Sequence, residues 1–145
     1  MASVATYLNF DGKTAEAFEF YKSVFGTEYA YPVMRFKDIP ADPSQPAMAE
    51  GLKDMIMNVA LPITGGHILM GTDAPKEMGF DVIFGNSVHI SLMPDSRTEA
   101  ERLFNALSAG GEVSMALAEQ FWGDYFGSWT DKYGICWMVN TSAKS

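Results

Sequence analysis

His89, one residue ahead of the alternating Ile90-Ser91-Leu92, is the side chain here best suited to chemistry. An imidazole changes charge near neutral pH and can shuttle a proton or contact a ligand. Alternation puts it with Ser91, opposite Val88 and Ile90, so it is expected to face a concave surface. The other reading is a histidine hydrogen-bonded to a neighbouring strand. His67 alternates away from Met70 and is given no site role. Met70 and Met138, with Met55, Met57, Met93 and Met115, suit an adaptable lining, because unbranched thioethers repack around ligands of different shape; they also suit ordinary core filling. Asn58 places an amide between Met57 and Val59, where it needs a partner or a ligand. Tyr7 stands with Asn9 on the polar face of the first strand.

Trp122, Tyr125, Trp129, Tyr133 and Trp137 cluster late in the chain, and aromatic walls suit planar or cationic ligands. Trp122 and Tyr125 precede a strand and are placed at a rim; Trp137 shares a face with Ile135 and Val139 and is placed in the core. Arg35 is read two ways, as the partner of a carboxylate ligand or as a solvated edge residue. Cys136 has no basic neighbour in sequence to lower its pKa and reads as an inert buried thiol. No nucleophile elbow, Walker loop or zincin motif occurs.

The elements that position these residues form a unit written twice. Residues 4–10 alternate as a half-buried strand and break at Asp11-Gly12. Ala17, Phe18, Tyr21, Val24 and Phe25 then make one helical stripe that Gly26 ends. Residues 28–37 read as a strand, at an edge or on a bulge because Pro32 cannot donate a ladder bond. Three prolines mark 38–54 as a surface excursion. Strands at 55–61 and 67–72 meet through Thr64-Gly65-Gly66. After 73–86, an apolar bridge expected to pack down on something, the plan returns: a strand around Ile90, a helix opening on Ser96-x-x-Glu99, the stripe Ala100, Leu103, Phe104, Leu107, and strands at 112–117, 125–131 and 135–140. Glu16 and Phe20 recur at Glu99 and Leu103 with one offset of 83 residues. Between Gly66 and Gly134 the offset is 68, and the first half's excursion accounts for the 15-residue difference. Each half is therefore βαβββ, a repeat that implies a pseudo-symmetric body with a cleft.

Composition bounds the function. The 145 residues are 48% hydrophobic, enough for a real core, and the net charge of −8 repels phosphate backbones and anionic membrane faces. Nucleic acid and membrane are not expected as partners. A single cysteine excludes an internal disulfide framework, and there is no basic leader or long apolar run, so a soluble cytoplasmic protein is expected.

Leu8-x-Phe10-x-Gly12, Ala17-Phe18-x-Phe20-Tyr21-x-x-x-Phe25-Gly26, Leu69-Met70-x-x-Asp73, Gly110-Gly111, Trp122-Gly123-x-x-Phe126-Gly127 and Asp131-x-x-Gly134-x-x-Trp137 together resemble the PhnB-like branch of the vicinal oxygen chelate superfamily, alongside glyoxalase I and bleomycin-resistance proteins. The resemblance covers nearly the whole chain. It implies the α+β glyoxalase/bleomycin-resistance fold: one domain over 1–145, a first βαβββ module at 1–73 with its insertion at 38–54, a linker at 74–86 and a second module at 87–145. Each module then curls its sheet into half of a cup, and the assembly is a homodimer. Metal-dependent members hold a divalent ion at positions that fall here on Ala5 or Thr6, Met70, His89 and Met138. Only His89 could bind such an ion, so no metal and no cofactor are expected. Some relatives carry a demethylubiquinone methyltransferase label, but the glycine-rich strand-to-helix turn of nucleotide-cofactor folds is absent.

The sequence thus points to a metal-independent protein that binds a small organic molecule, cationic or aromatic, in the cup between modules. His89, Met70, Met138, Asn58, Tyr7, Trp122 and Tyr125 are the expected ligand contacts. The alternative is a lyase, isomerase or dioxygenase relative using His89 as ligand or acid-base group; a third reading is a dimeric scaffold joined through edge strands. Which ligand is bound, and whether any reaction is catalysed, stay open at this point.

Overall fold

The opening alternation becomes β1 (Thr6–Phe10), with Leu8 and Phe10 buried and Tyr7 exposed. The computed structural model describes residues 1–145, which divide into two units, Met1–Val82 and Ile83–Ser145. In the first unit β1 leads to α1 (Thr14–Phe25), β2 (Met34–Arg35), the one-turn helix α2 (Glu50–Lys53), β3 (Ile56–Pro62) and β4 (Ile68–Asp73). The strands form one sheet in the order β1-β4-β3-β2, with β1 parallel to β4 and the other pairs antiparallel.

The apolar stripe of α1 lies against this sheet, with Ala17, Phe18, Tyr21 and Val24 all buried. Gly71 permits the close approach: a Cβ there would lie 2.5 Å from Phe18 Cε1, so any larger residue would push against a fully packed ring. Gly26 ends the helix at φ 65°, its N–H donating to the Lys22 carbonyl, as a left-handed cap does. At the other end Lys13 supplies no side-chain cap. The carboxylate of Asp73, 4% exposed, does so from the end of β4. It accepts from the Thr14 N–H at 3.2 Å, the Thr14 hydroxyl at 2.7 Å and the Ile56 N–H at 2.8 Å, and so joins the starts of α1 and β3 to the end of β4.

The strand expected over 28–37 shrinks to Met34–Arg35. Pro32 has no N–H to give, and the preceding residues are tied to β3 by one backbone bond, from the Ala30 N–H to the Ala60 carbonyl at 2.9 Å, and by the Thr27 and Tyr31 hydroxyls.

The second unit repeats the plan with β5 (Ile90–Leu92), α3 (Arg97–Ser108), β6 (Glu112–Glu119), β7 (Tyr125–Thr130) and β8 (Cys136–Thr141), in the sheet order β5-β8-β7-β6. Both sheets are four-stranded and mixed, and each carries its helix on one face. Leu92, Leu103, Leu107, Trp129, Trp137 and Val139 make the core beneath α3. Phe104 meets Trp129 edge-on, with centroids 5.2 Å apart. The expected helix start is half realised: Ser96 Oγ accepts from the Glu99 N–H at 3.1 Å, but the Glu99 carboxylate pairs with Arg102 instead of reaching back. Beyond β7 the buried carboxylate of Asp131 accepts from the N–H groups of Tyr133 and Ile135 and from Trp137 Nε1, closing the turn into β8.

The units part at Val82/Ile83, inside the segment read as a bridge. That segment does not pack down as expected. Met78, Phe80, Ile83 and Phe84 are all exposed, although Phe84 lies close enough to Gly134 that a Cβ there would be 3.0 Å from Phe84 Cγ.

Candidate functional site

In the first unit, the sheet face away from α1 gathers three of the seven expected residues. Cross-strand partners project to one side of a sheet, and so do residues two apart on a strand. Tyr7 is opposite Met70, Met70 is opposite Ala60, Asn58 stands two residues before Ala60, and Met34 is opposite Asn58. This makes a row across all four strands. Its edge members Tyr7 and Met34 are exposed, whereas Met70 and Asn58 are half-buried. The amide that needed a partner finds one: the Tyr31 hydroxyl donates to Asn58 Oδ1 at 2.6 Å. The NH₂ of Asn58 stays available to donate outward. His67 is committed elsewhere, its Nε2 lying 2.8 Å from Thr6 Oγ1.

The second unit carries the counterpart. Ser91 is opposite Met138, Met138 opposite Ser128, and Ser128 opposite Met115, again a row across four strands. In both rows a methionine sits on the outer strand, a small polar residue on the next and a methionine on the third. His89 lies one residue before β5, is exposed, and makes no hydrogen bond or ion pair. Trp122 is 52% exposed and packs edge-on between Phe121 and Phe126. Phe126, two residues before Ser128, belongs to this face, and so Trp122 stands beside the row.

Tyr125 does not join them. Its hydroxyl donates to Glu101 Oε1 at 2.9 Å, and the Arg97 guanidinium lies 4.7 Å over its ring. Both partners belong to α3, so Tyr125 stands on the helix side of the sheet, away from Met138. Burial and then the Glu101 hydrogen bond push its phenol above the ordinary tyrosine range.

These rows offer polarisable thioethers, amide and hydroxyl donors and aromatic edges, a lining for binding rather than bond-making. The metal positions implied by the resemblance do not fit a divalent ion: two are thioethers, Thr6 is tied to His67, and no three His, Cys, Asp or Glu side chains converge in this chain. A nucleotide-like methyl donor fits no better. The junction of β1 and α1, where such a cofactor's carboxylate would meet helix N–H groups, is filled by the Asp73 carboxylate. No helix is long and apolar enough to cross a membrane.

Three relatives carry this architecture. Residues 2–140 match the family described as 3-demethylubiquinone-9 3-methyltransferase. Protein YjdN of Escherichia coli K12 is 31% identical over 144 residues, covering 94% of this chain and 93% of YjdN. The crystal structure of protein PA1353 from Pseudomonas aeruginosa superposes with a TM-score of 0.83 at 36% identity, covering 99% of this chain and 100% of that one. A PhnB protein from Bacillus cereus, described as a putative 3-demethylubiquinone-9 3-methyltransferase, gives 0.75 at 23% identity over 97% of this chain and 99% of its own. Glyoxalase/bleomycin resistance/dioxygenase proteins share the fold at lower identity.

Proposed function

The chain belongs to this PhnB-like family of the vicinal oxygen chelate superfamily, and from that premise we propose that it is a metal-independent binding protein for a small organic molecule, cationic or aromatic. The carrying observation is the repeated row of methionine and polar side chains on the open face of each sheet. The net charge of −8 favours a cation, and Tyr7, Tyr31, Trp122 and Phe126 supply aromatic surfaces against which one could rest. Nothing favours the enzyme reading: His89 lacks a carboxylate or carbonyl to orient it as a base. Methyl transfer, which the family description names, gains no support from the closed β1–α1 junction.

Binding is tested by thermal shift and calorimetry with cationic aromatic dyes, using an aliphatic quaternary amine and a neutral aromatic as controls. At ten-fold excess over Kd the cationic aromatics are expected to raise Tm by roughly 3–6 °C, with and without EDTA. Met70→Lys and Met138→Lys should abolish the rise. A flat response to every compound, or a response that EDTA removes, overturns the proposal.

A homodimer in the cytoplasm completes this reading. The second unit exposes Val88, Met93, Val113, Met115, Phe121 and Trp122, apolar side chains that a second copy could cover. A second copy covering it would give a mass twice that of the chain by light scattering. The single free and buried thiol, Cys136, suits a reducing compartment.

A further inference from the structure

The first unit has a second concavity, on the helix side of its sheet and thus on the opposite face from Tyr7 and Met70. It lies between α1, the residues leading into β2, and β3. About 50 Å³ of it is a true cavity, within an open depression of about 280 Å³. Phe18, Ile56 and Val59, all buried, form its floor. Glu19, Tyr29 and Arg35 form its mouth.

The mouth residues are arranged in an informative way. Glu19 and Arg35 face one cavity with opposite charges, yet they form no ion pair with each other. The Tyr29 phenol lies at the same mouth and feels the charges of both Glu19 and Arg35. Arg35 spends one N–H, from Nη1, on the Asp54 carbonyl, and its other N–H groups remain uncommitted. The Glu19 carboxylate offers acceptor lone pairs on both oxygens. One acceptor for a cation and one donor fork for an anion therefore flank a small apolar well.

We propose that this cavity binds a small zwitterion with a short branched apolar tail, of the α-amino acid class. The ammonium meets Glu19, the carboxylate meets the free N–H groups of Arg35, and the tail fills the well over Phe18, Ile56 and Val59. A cavity of 50 Å³ admits three or four water-sized groups, and so a valine-sized tail rather than an aromatic one. The site is independent of the sheet-face binding proposed above, and either can fail without the other.

The test is an amide-resolved NMR titration with three matched probes: L-valine, isobutylamine, which lacks the carboxylate, and isovalerate, which lacks the ammonium. L-valine is expected to shift the amides of Ala15, Glu19, Tyr29 and Arg35, with each single-charge probe about five-fold weaker, as the loss of one partly exposed charge pair implies. Glu19→Gln should erase the preference for valine over isovalerate and leave that over isobutylamine. Arg35→Gln should do the reverse. Ala15→Leu, a helix-compatible change that closes the well without touching either charge, should remove binding of all three. The proposal is overturned if valine shifts none of these amides at about 50 mM, if the amine or acid alone binds as well as valine, or if Ala15→Leu folds and still binds.

Discussion

The two sheets end in topologically equivalent outer strands that could hardly differ more. β2, outermost in the first unit, is two residues long, whereas β6, outermost in the second, runs for eight. The short edge leaves a gap beside α1, and the cavity lined by Glu19, Tyr29 and Arg35 occupies it. The long edge offers Val113 and Met115 to solvent. Charged Glu112 and Glu119 at its ends, and register shifts around Met115, blunt it against indiscriminate pairing. The repeat therefore fixes the order of elements, while each unit is closed off by its own devices.

The buried aspartates show this most strongly. Asp73 accepts from residues 59 and 17 positions away and so holds three elements together. Asp131 accepts from residues two, four and six positions away and so braces one turn. Asp73→Ala strands two buried amides and a hydroxyl, and a loss of about 3–5 kcal/mol in denaturant unfolding is expected. Asp73→Asn should recover little, because its NH₂ group would face donors. Asp131→Ala should cost about 2–4 kcal/mol, concentrated in Trp137 Nε1 and the β7–β8 turn. Amide exchange sharpens the contrast: the first change should expose both α1 and β3, the second the turn alone. Equal, global loss of protection in both variants would break it.

Much of this was legible in sequence. The helical stripes, the Gly26 cap, the strand–helix repeat and the βαβββ order follow from periodicity and spacing, which are local signals. Tyr7, Met70 and Asn58 fall on one face because alternation carries that information too. The rest depends on residues far apart in the chain. Asp73 and Asp131 stand in the sequence as motif members with no assigned structural role, since nothing nearby in sequence shows the donors that Thr14 or Trp137 bring. Tyr125 was placed at a rim because a residue's parity relative to a helix is fixed only when the strand's partners are known. The Tyr31–Asn58 bond joins residues 27 positions apart, and the cavity at Arg35 gathers three separate segments of the chain. Arg35 drew notice as a possible carboxylate partner, but Glu19 and Tyr29 gave no local sign of joining it.

The contrast between the edges makes its own prediction. Met115 and Met34 occupy matching outer strands, and both side chains are exposed, at 48% and 41%. Lysine at either position should change monomer stability by no more than about 0.5 kcal/mol. Met115→Lys is nevertheless expected to weaken self-association about 100-fold in sedimentation equilibrium, since it sets a charge at the centre of the long edge, while Met34→Lys should leave it unchanged. If both variants remain dimeric, β6 is not the covered surface; if both dissociate, the two edges are equivalent after all.

The smallest effect probes a device that both units share. Tyr29 and Tyr125 each stand near a helix glutamate: the charge of Glu19 on α1 acts on Tyr29, and the Tyr125 hydroxyl donates to Glu101 on α3. Burial first, then the charge of Glu19, push the Tyr29 phenol from 10.0 up to about 12. A raised phenol pKa means that the folded protein prefers the neutral form. The stability it contributes is complete below the unfolded value near 10 and is lost as pH climbs through about 12. Ultraviolet titration of the wild type minus Tyr29→Phe should therefore show no phenolate until well above pH 10. Glu19→Gln should move that ionisation down toward the ordinary value, because the neutral amide removes the negative charge while burial remains. Ionisation of Tyr29 near 10 in the wild type would mean that Glu19 does not hold it, and the mouth of the helix-side cavity would then lack the arrangement that distinguishes the short edge from the long one.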